Sequence, residues 1–162
     1  MKGKRVDLGD SPCGIARSLQ VVGEWWSLLI IREAFKGKER FGEFQKSLGL
    51  AKNILSTRLK KLVDEGVFRI EDDPGSATSH RYVLTPKGEK LGVVLVALWQ
   101  WGEEHCLGPG ELGYGLVDKE SGQPIERLKL TTTSGLSLGP RDFRVARISA
   151  DAHPASKEHI HG

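Results

Sequence analysis

Long apolar runs are missing from this 162-residue chain, and no stretch approaches the roughly 18 residues that cross a bilayer. The opening MKGKRVDLGD also lacks the apolar heart of a secretory signal, so a cytoplasmic protein is expected. Cysteine is scarce: Cys13 and Cys106 are too few and too far apart for a disulfide scaffold or a recognisable zinc site. The histidines (His80, His105, His153, His159 and His161) are scattered. None of the glycines falls in a phosphate-loop or dinucleotide-binding run, and no Ser-His-Asp set has a supporting motif. No enzyme, metal site or cofactor is therefore expected. With 38% hydrophobic and 28% charged residues the chain is globular, not disordered. Its length suits one domain, or one domain with an appendage.

The net charge of +3 is modest but unevenly placed. Between Arg32 and Lys61 stand nine cations against three acids, whereas from Leu107 to Gly162 seven cations balance seven acids. A local basic excess is the electrostatic footprint of a phosphate-facing surface, while an ordinary solvated face mixes signs. Inside that window lies KNILSTRLKKL, residues 52–62. Leu55, Leu59 and Leu62 fall at i, i+4 and i+7, one buried stripe of a helix. The opposite face carries Asn53, Thr57 and Lys60, flanked by Ser56, Arg58 and Lys61, and it holds no acid.

The flanking residues supply the rest of a small domain. Ser11 can cap a helix with Pro12 at its first position, and Ile15, Leu19 and Val22 give that helix an apolar side before Gly23 ends it. Residues 25–35 (WWSLLIIREAF) read as a dense apolar helix, and 41–48 as a short one with Phe41, Phe44 and Leu48 inward. Gly49-Leu50-Ala51 turns the chain into this helix, which Gly66 stops. Residues 67–71 alternate as a strand, 72–79 (DDPGSATS) turn, and 80–84 (HRYVL) return. Thr85 and Pro86 cap and start a long helix running to about His105.

Helix, turn, helix and hairpin make a winged helix-turn-helix, a mainly α fold with a small β component. In that plan the helix after the turn lies in the major groove, where short polar side chains meet base edges. Lys52, Asn53, Ser56, Thr57 and Lys60 suit base reading, and Arg58, Lys61 and Arg40 suit backbone phosphates. His80 and Arg81, at the base of the hairpin, are expected to meet an adjacent phosphate or the minor groove. The competing reading is a winged-helix protein-interaction module without DNA binding, since the fold also serves assemblies.

Four stretches carry a family resemblance: CGIARSLQVVGEWWSLLIIREAF, RFGEFQKSLGLAKNILSTRLKKLVDEG, HRYVLTPKGEKL and LWQWGEEH. In this order and spacing, from Cys13 to Cys106, the chain resembles the HxlR family of bacterial transcriptional regulators, winged-helix relatives of the MarR group. The resemblance implies double-stranded DNA as partner, a recognition helix over 52–65, and a homodimer built from the first helix and the long helix after the wing. Apolar patterning points independently to that dimer through Ile15, Leu19 and Val22, and through Leu91, Val94, Leu95, Leu98, Trp99 and Trp101, more apolar surface than one small core needs. Trp25, Trp26, Trp99 and Trp101 also suggest a pocket for a small-molecule effector, although aromatic residues at helical spacing more often pack a core. The resemblance further implies thiol sensing in some members. Cys13, in the first turn of a helix whose dipole favours a thiolate, is the candidate, with Cys106 a conceivable partner and simple packing the plainer role.

The expected organisation is a DNA-binding and dimerisation domain over 1–106, a β-rich C-terminal extension over 107–152 and a tail over 153–162. Gly108-Pro109-Gly110 marks the boundary, and three strands are expected in the extension, at 114–118, 125–130 and 143–148. With no cysteine beyond Cys106, the extension is expected to hold no metal.

Overall fold

The computed structural model describes residues 7–76, 78–111 and 114–147. The chain divides into two compact units, Met1–Leu116 and Val117–Gly162. The first begins with α1 (Gly14–Val22), α2 (Trp25–Phe35), α3 (Phe41–Leu48) and α4 (Lys52–Asp64). An antiparallel hairpin follows, β1 (Phe68–Asp72) with β2 (His80–Leu84), then α5 (Pro86–Glu89) and α6 (Gly92–His105). This is the winged helix-turn-helix arrangement. No helix among the described residues is long and apolar enough to cross a membrane.

The leucine stripe of α4 is the centre of the core. Leu55, Leu59 and Leu62 are completely buried with Ile30 and Ile31 of α2, Phe44 of α3, and Val67 beside β1. Each such side chain contributes about 1.5–3 kcal/mol by leaving water. Phe44 meets Phe68 and Tyr82 edge-on at 6.3 and 6.5 Å, so one aromatic cluster joins α3 to the hairpin. Gly49 caps α3 with φ 65°, the left-handed conformation that lets α4 leave at once in a new direction.

Expected boundaries differ by one residue at β1, which runs Phe68–Asp72, and at the end of α4, and by more at two helices. Ser11 does not cap α1: its hydroxyl accepts from the Cys13 amide at 3.2 Å, and this local turn delays the helix until Gly14. Cys13 therefore precedes the first helical turn instead of lying in it. The long helix from Pro86 is broken at Lys90 and Leu91, where ψ relaxes to −15° and −9° and the Leu91 amide bonds back three residues to Gly88. Glycines on either side of the break sit against neighbouring structure, Gly88 on the Val67 carbonyl and Gly92 on the Phe35 ring.

Gly88 is the tighter of the two. A Cβ there would overlap the Val67 carbonyl oxygen and stand 3.0 Å from Leu84 Cδ2. Gly88→Ala is expected to cost about 1–3 kcal/mol. Thermal unfolding checks this, with Gly42→Ala, whose Cβ meets nothing within 4 Å, as the neutral control. Equal midpoints for the two variants would contradict the packing described.

The second unit holds less regular structure than its alternation suggested. Among the described residues, Val117 bridges to Pro124, and β3 (Leu130–Thr131) pairs with β4 (Ser137–Leu138) in register Leu130 to Leu138. The strands expected at 114–118, 125–130 and 143–148 do not form as such over their described residues. Alternation marks which side chains share a face, but a ladder also needs a partner strand and a covering layer. Val145, at 99% exposure, has no such cover. The tail over 153–162 lies outside the described residues.

Candidate nucleic-acid interface

The turn between α3 and α4 and the burial of the leucine stripe leave one face of α4 outward. Lys52, Asn53, Ser56, Thr57 and Lys60 are all exposed on it, as the helical spacing required. Their side chains are not equally available. The Thr57 hydroxyl donates to the Asn53 carbonyl at 2.8 Å, and Lys60 pairs with Asp64 at 2.7 Å one turn on. Lys52, Asn53 and Ser56 stand free of side-chain partners among the described residues.

The arginines expected at phosphates have other engagements. Arg58 is mostly covered and pairs with Glu24 at 3.0 Å, tying α4 to the start of α2. Lys61 donates to the Gln20 carbonyl, tying α4 to α1. Arg81 is held between Glu39 at 2.8 Å and Glu71 at 3.1 Å. Arg40 grips Asp73 with two nitrogens, Nε to Oδ2 at 2.5 Å and Nη2 to Oδ1 at 2.9 Å. His80 stands exposed against Tyr82, its Nε2 3.1 Å from the phenol oxygen. Facing Asp72 across the hairpin in the last pair of the ladder, it lies at the loop end and not at the base.

Residue types and local spacing did not disclose these partners. Arg40 and Asp73 lie 33 positions apart, and only the folded hairpin brings them together. Asp73 is a buried acid that also accepts from the Gly75 amide at 2.9 Å and the Ser79 hydroxyl at 3.1 Å. The hydrogen bonds from Arg40 hold its carboxyl well below the usual carboxylate range, and the Gly75 amide adds to the effect. Glu33 is the other missed acid. It accepts from Arg32 at 2.9 Å, Lys36 at 3.1 Å and, across to α3, the Ser47 hydroxyl at 2.5 Å. Burial pushes its carboxyl up, but the hydrogen bonds from Ser47, Lys36 and Arg32 outweigh that and leave it lowered. Both acids thus favour the fold above the ordinary carboxylate pKa, a benefit lost as pH falls through their lowered values. A lone acid in the apolar run WWSLLIIREAF was the one visible signal for Glu33.

The expected dimer face is partly shared with the monomer core. Leu91 and Leu95 pack against the core, and Trp99 is half-buried, whereas Ile15, Leu19, Val94, Leu98 and Trp101 are exposed. Val93 joins them at 58% exposure. Of the four tryptophans, Trp25 and Trp99 line a groove of about 800 Å³ between α2 and α6, with Leu28, Phe35 and Leu95. Trp26 packs on the core. Cys13 and Cys106 are both exposed free thiols.

A family model described as HxlR-like helix-turn-helix matches residues 21–108, the span from the end of α1 through α6 and just beyond. The chain belongs to this family. Among its relatives it is similar to Rv3095, an HTH-type transcriptional regulator of Mycobacterium tuberculosis, with 42% identity over 95 residues. That match covers 59% of this chain and spans 60% of the relative's length. Among solved structures it is similar to PA1607, described as a candidate transcription factor, at 47% identity and TM-score 0.82 over 86% of this chain and 98% of that one. It is also similar to HypR, a redox regulator solved in its reduced form, at 26% identity and TM-score 0.50 over 57% of this chain and 92% of that one.

Proposed function

We propose that this protein is a sequence-specific double-stranded DNA-binding transcriptional regulator. In this reading it acts in the cytoplasm as a homodimer on an inverted-repeat operator. The carrying observation is the outward face of α4 from Lys52 to Lys60, five exposed polar or cationic side chains with Asp64 the first acid after them, delivered by the Gly49 turn. A helix so placed enters the major groove, and a two-fold dimer sets two such helices about 34 Å apart, one turn of DNA. Base reading then falls first to Lys52, Asn53 and Ser56, with Thr57 and Lys60 beside them. Arg58 and Lys61 brace α4 from behind, and His80 and Arg81 present the wing. Selecting genomic fragments on the purified protein at stated salt tests this. An enriched inverted repeat with half-sites about one turn apart supports it. Retention of no fragment over random DNA would sink it and favour a winged-helix protein-interaction module, which the internal pairing of Arg40, Arg58 and Arg81 would then suit.

Control by an effector is the second part of the proposal. The apolar groove between α2 and α6 has the size and lining of a small-molecule site. Trp25 and Trp99 line it, so their fluorescence reports its occupancy. The exposed Cys13 and the likeness to HypR support thiol control as well. Peroxide or a quinone is expected to weaken operator binding about 5- to 150-fold in the parent, and not in Cys13→Ser. Equal sensitivity in both proteins, or none in either, leaves Cys13 without a sensing role.

A further inference from the structure

We infer that Arg40 and Asp73 form a clamp that sets the wing against the helix-turn-helix, and that Arg40 serves DNA binding by positioning the wing rather than by holding a phosphate itself. The inference rests on the DNA-binding reading above and gives Arg40 a different role within it.

The geometry is built from both sides. On the α3 side, the amides of Glu39 and Arg40 donate to Glu43 Oε2 at 3.0 and 2.9 Å, so the backbone carrying the guanidinium is fixed by the first turn of α3. On the hairpin side, Asp73 is buried to 5% exposure although its neighbours Asp72, Pro74 and Gly75 are exposed. Its two oxygens receive four donors, two from Arg40, one from the Gly75 amide and one from the Ser79 hydroxyl. The same short segment holds the hairpin twice more. The Tyr82 amide donates to the Glu39 carbonyl at 2.8 Å, and Arg81 reaches Glu39 Oε2 at 2.8 Å. Three ties therefore converge on Glu39 and Arg40, the two residues that lead into the helix-turn-helix.

A phosphate drawing Arg40 away would strip a buried carboxylate of its bidentate partner, a costly exchange for one exposed ion pair. Held in place, Arg40 also cancels the charge of an acid that would otherwise repel DNA at the wing. The fork geometry matters here, because a lysine supplies the charge without the paired donors.

Asp73→Asn, Arg40→Lys, Arg40→Gln and the double variant Asp73→Asn/Arg40→Gln separate the two roles. The clamp predicts that Asp73→Asn weakens operator binding although it removes a negative charge. It also predicts that Arg40→Lys loses about as much as Arg40→Gln, and that the double variant is no worse than either single. Losses of roughly 2- to 30-fold are expected, as for residues that act on a ligand through structure, with the salt slope unchanged. Amide exchange over 68–72 and 80–84 should quicken in every variant while α4 keeps its protection. A direct phosphate contact predicts the reverse. Asp73→Asn then binds as well or better, Arg40→Lys is tolerated, and Arg40→Gln lowers the salt slope by about one. Any of these overturns the clamp. If the parent binds no DNA, the functional reading fails, and unchanged wing exchange in Arg40→Lys and Asp73→Asn would overturn the clamp independently.

Discussion

Asn53→Ala and Ser56→Ala are expected to weaken binding to the cognate operator by about 1–3 kcal/mol for each base-edge hydrogen bond removed, roughly 5- to 150-fold. Binding to random DNA should change little, so discrimination falls with affinity. These two positions are chosen because their side chains are exposed and free of partners among the described residues. Thr57→Ala should do less, since that hydroxyl already gives its proton to the Asn53 carbonyl. Stability should move by no more than about 0.5 kcal/mol, because neither Asn53 nor Ser56 touches the leucine stripe. Titrations on specific and random DNA at several salt concentrations, with thermal unfolding beside them, check every part. Unaltered specificity in both variants would mean that α4 is not the reader.

The outward face of α4 was open to a reader of the sequence, because helical phase is a local property. Leu55, Leu59 and Leu62 at helical spacing forced Asn53 and Thr57 outward whatever the rest of the chain did. The same holds for α2, α3 and β2, whose ends are set by neighbours such as Gly23 and Gly49, or by a change of period from helix to strand. The unseen parts depend on approach between distant segments. The break at Lys90 and Leu91 follows from Gly88 meeting Val67 and Gly92 meeting Phe35, which no window around Pro86 contains. The arginines were visible as charge, but their engagement with Glu24, Glu39, Glu71 and Asp73 was not, so the basic excess overstated the cations available to phosphate. In the second unit the alternation was visible, while the lack of a covering layer was not. A sequence pattern states what a segment can bury, and only the assembled fold states what it meets.

The proposed dimer gives the sharper test of the same distinction. Leu98→Glu with Trp101→Glu should convert the protein to a monomer, because each side chain is exposed on α6, at 49% and 59%, and an interface there would bury two unpaired carboxylates. Leu95 is the instructive contrast. It lies on the same helix but packs against the core, so Leu95→Glu should unfold the monomer instead of releasing it. Sedimentation and thermal unfolding tell these outcomes apart. The fall in DNA affinity should exceed that from removing any single base-reading side chain. A monomer keeps its own half-site but forfeits the second, whose linked binding is worth about 10²- to 10⁴-fold. An intact dimer in the double variant would move the interface away from α6. A folded monomer with undiminished affinity for an inverted repeat would leave the interface standing and remove the dimer from DNA recognition.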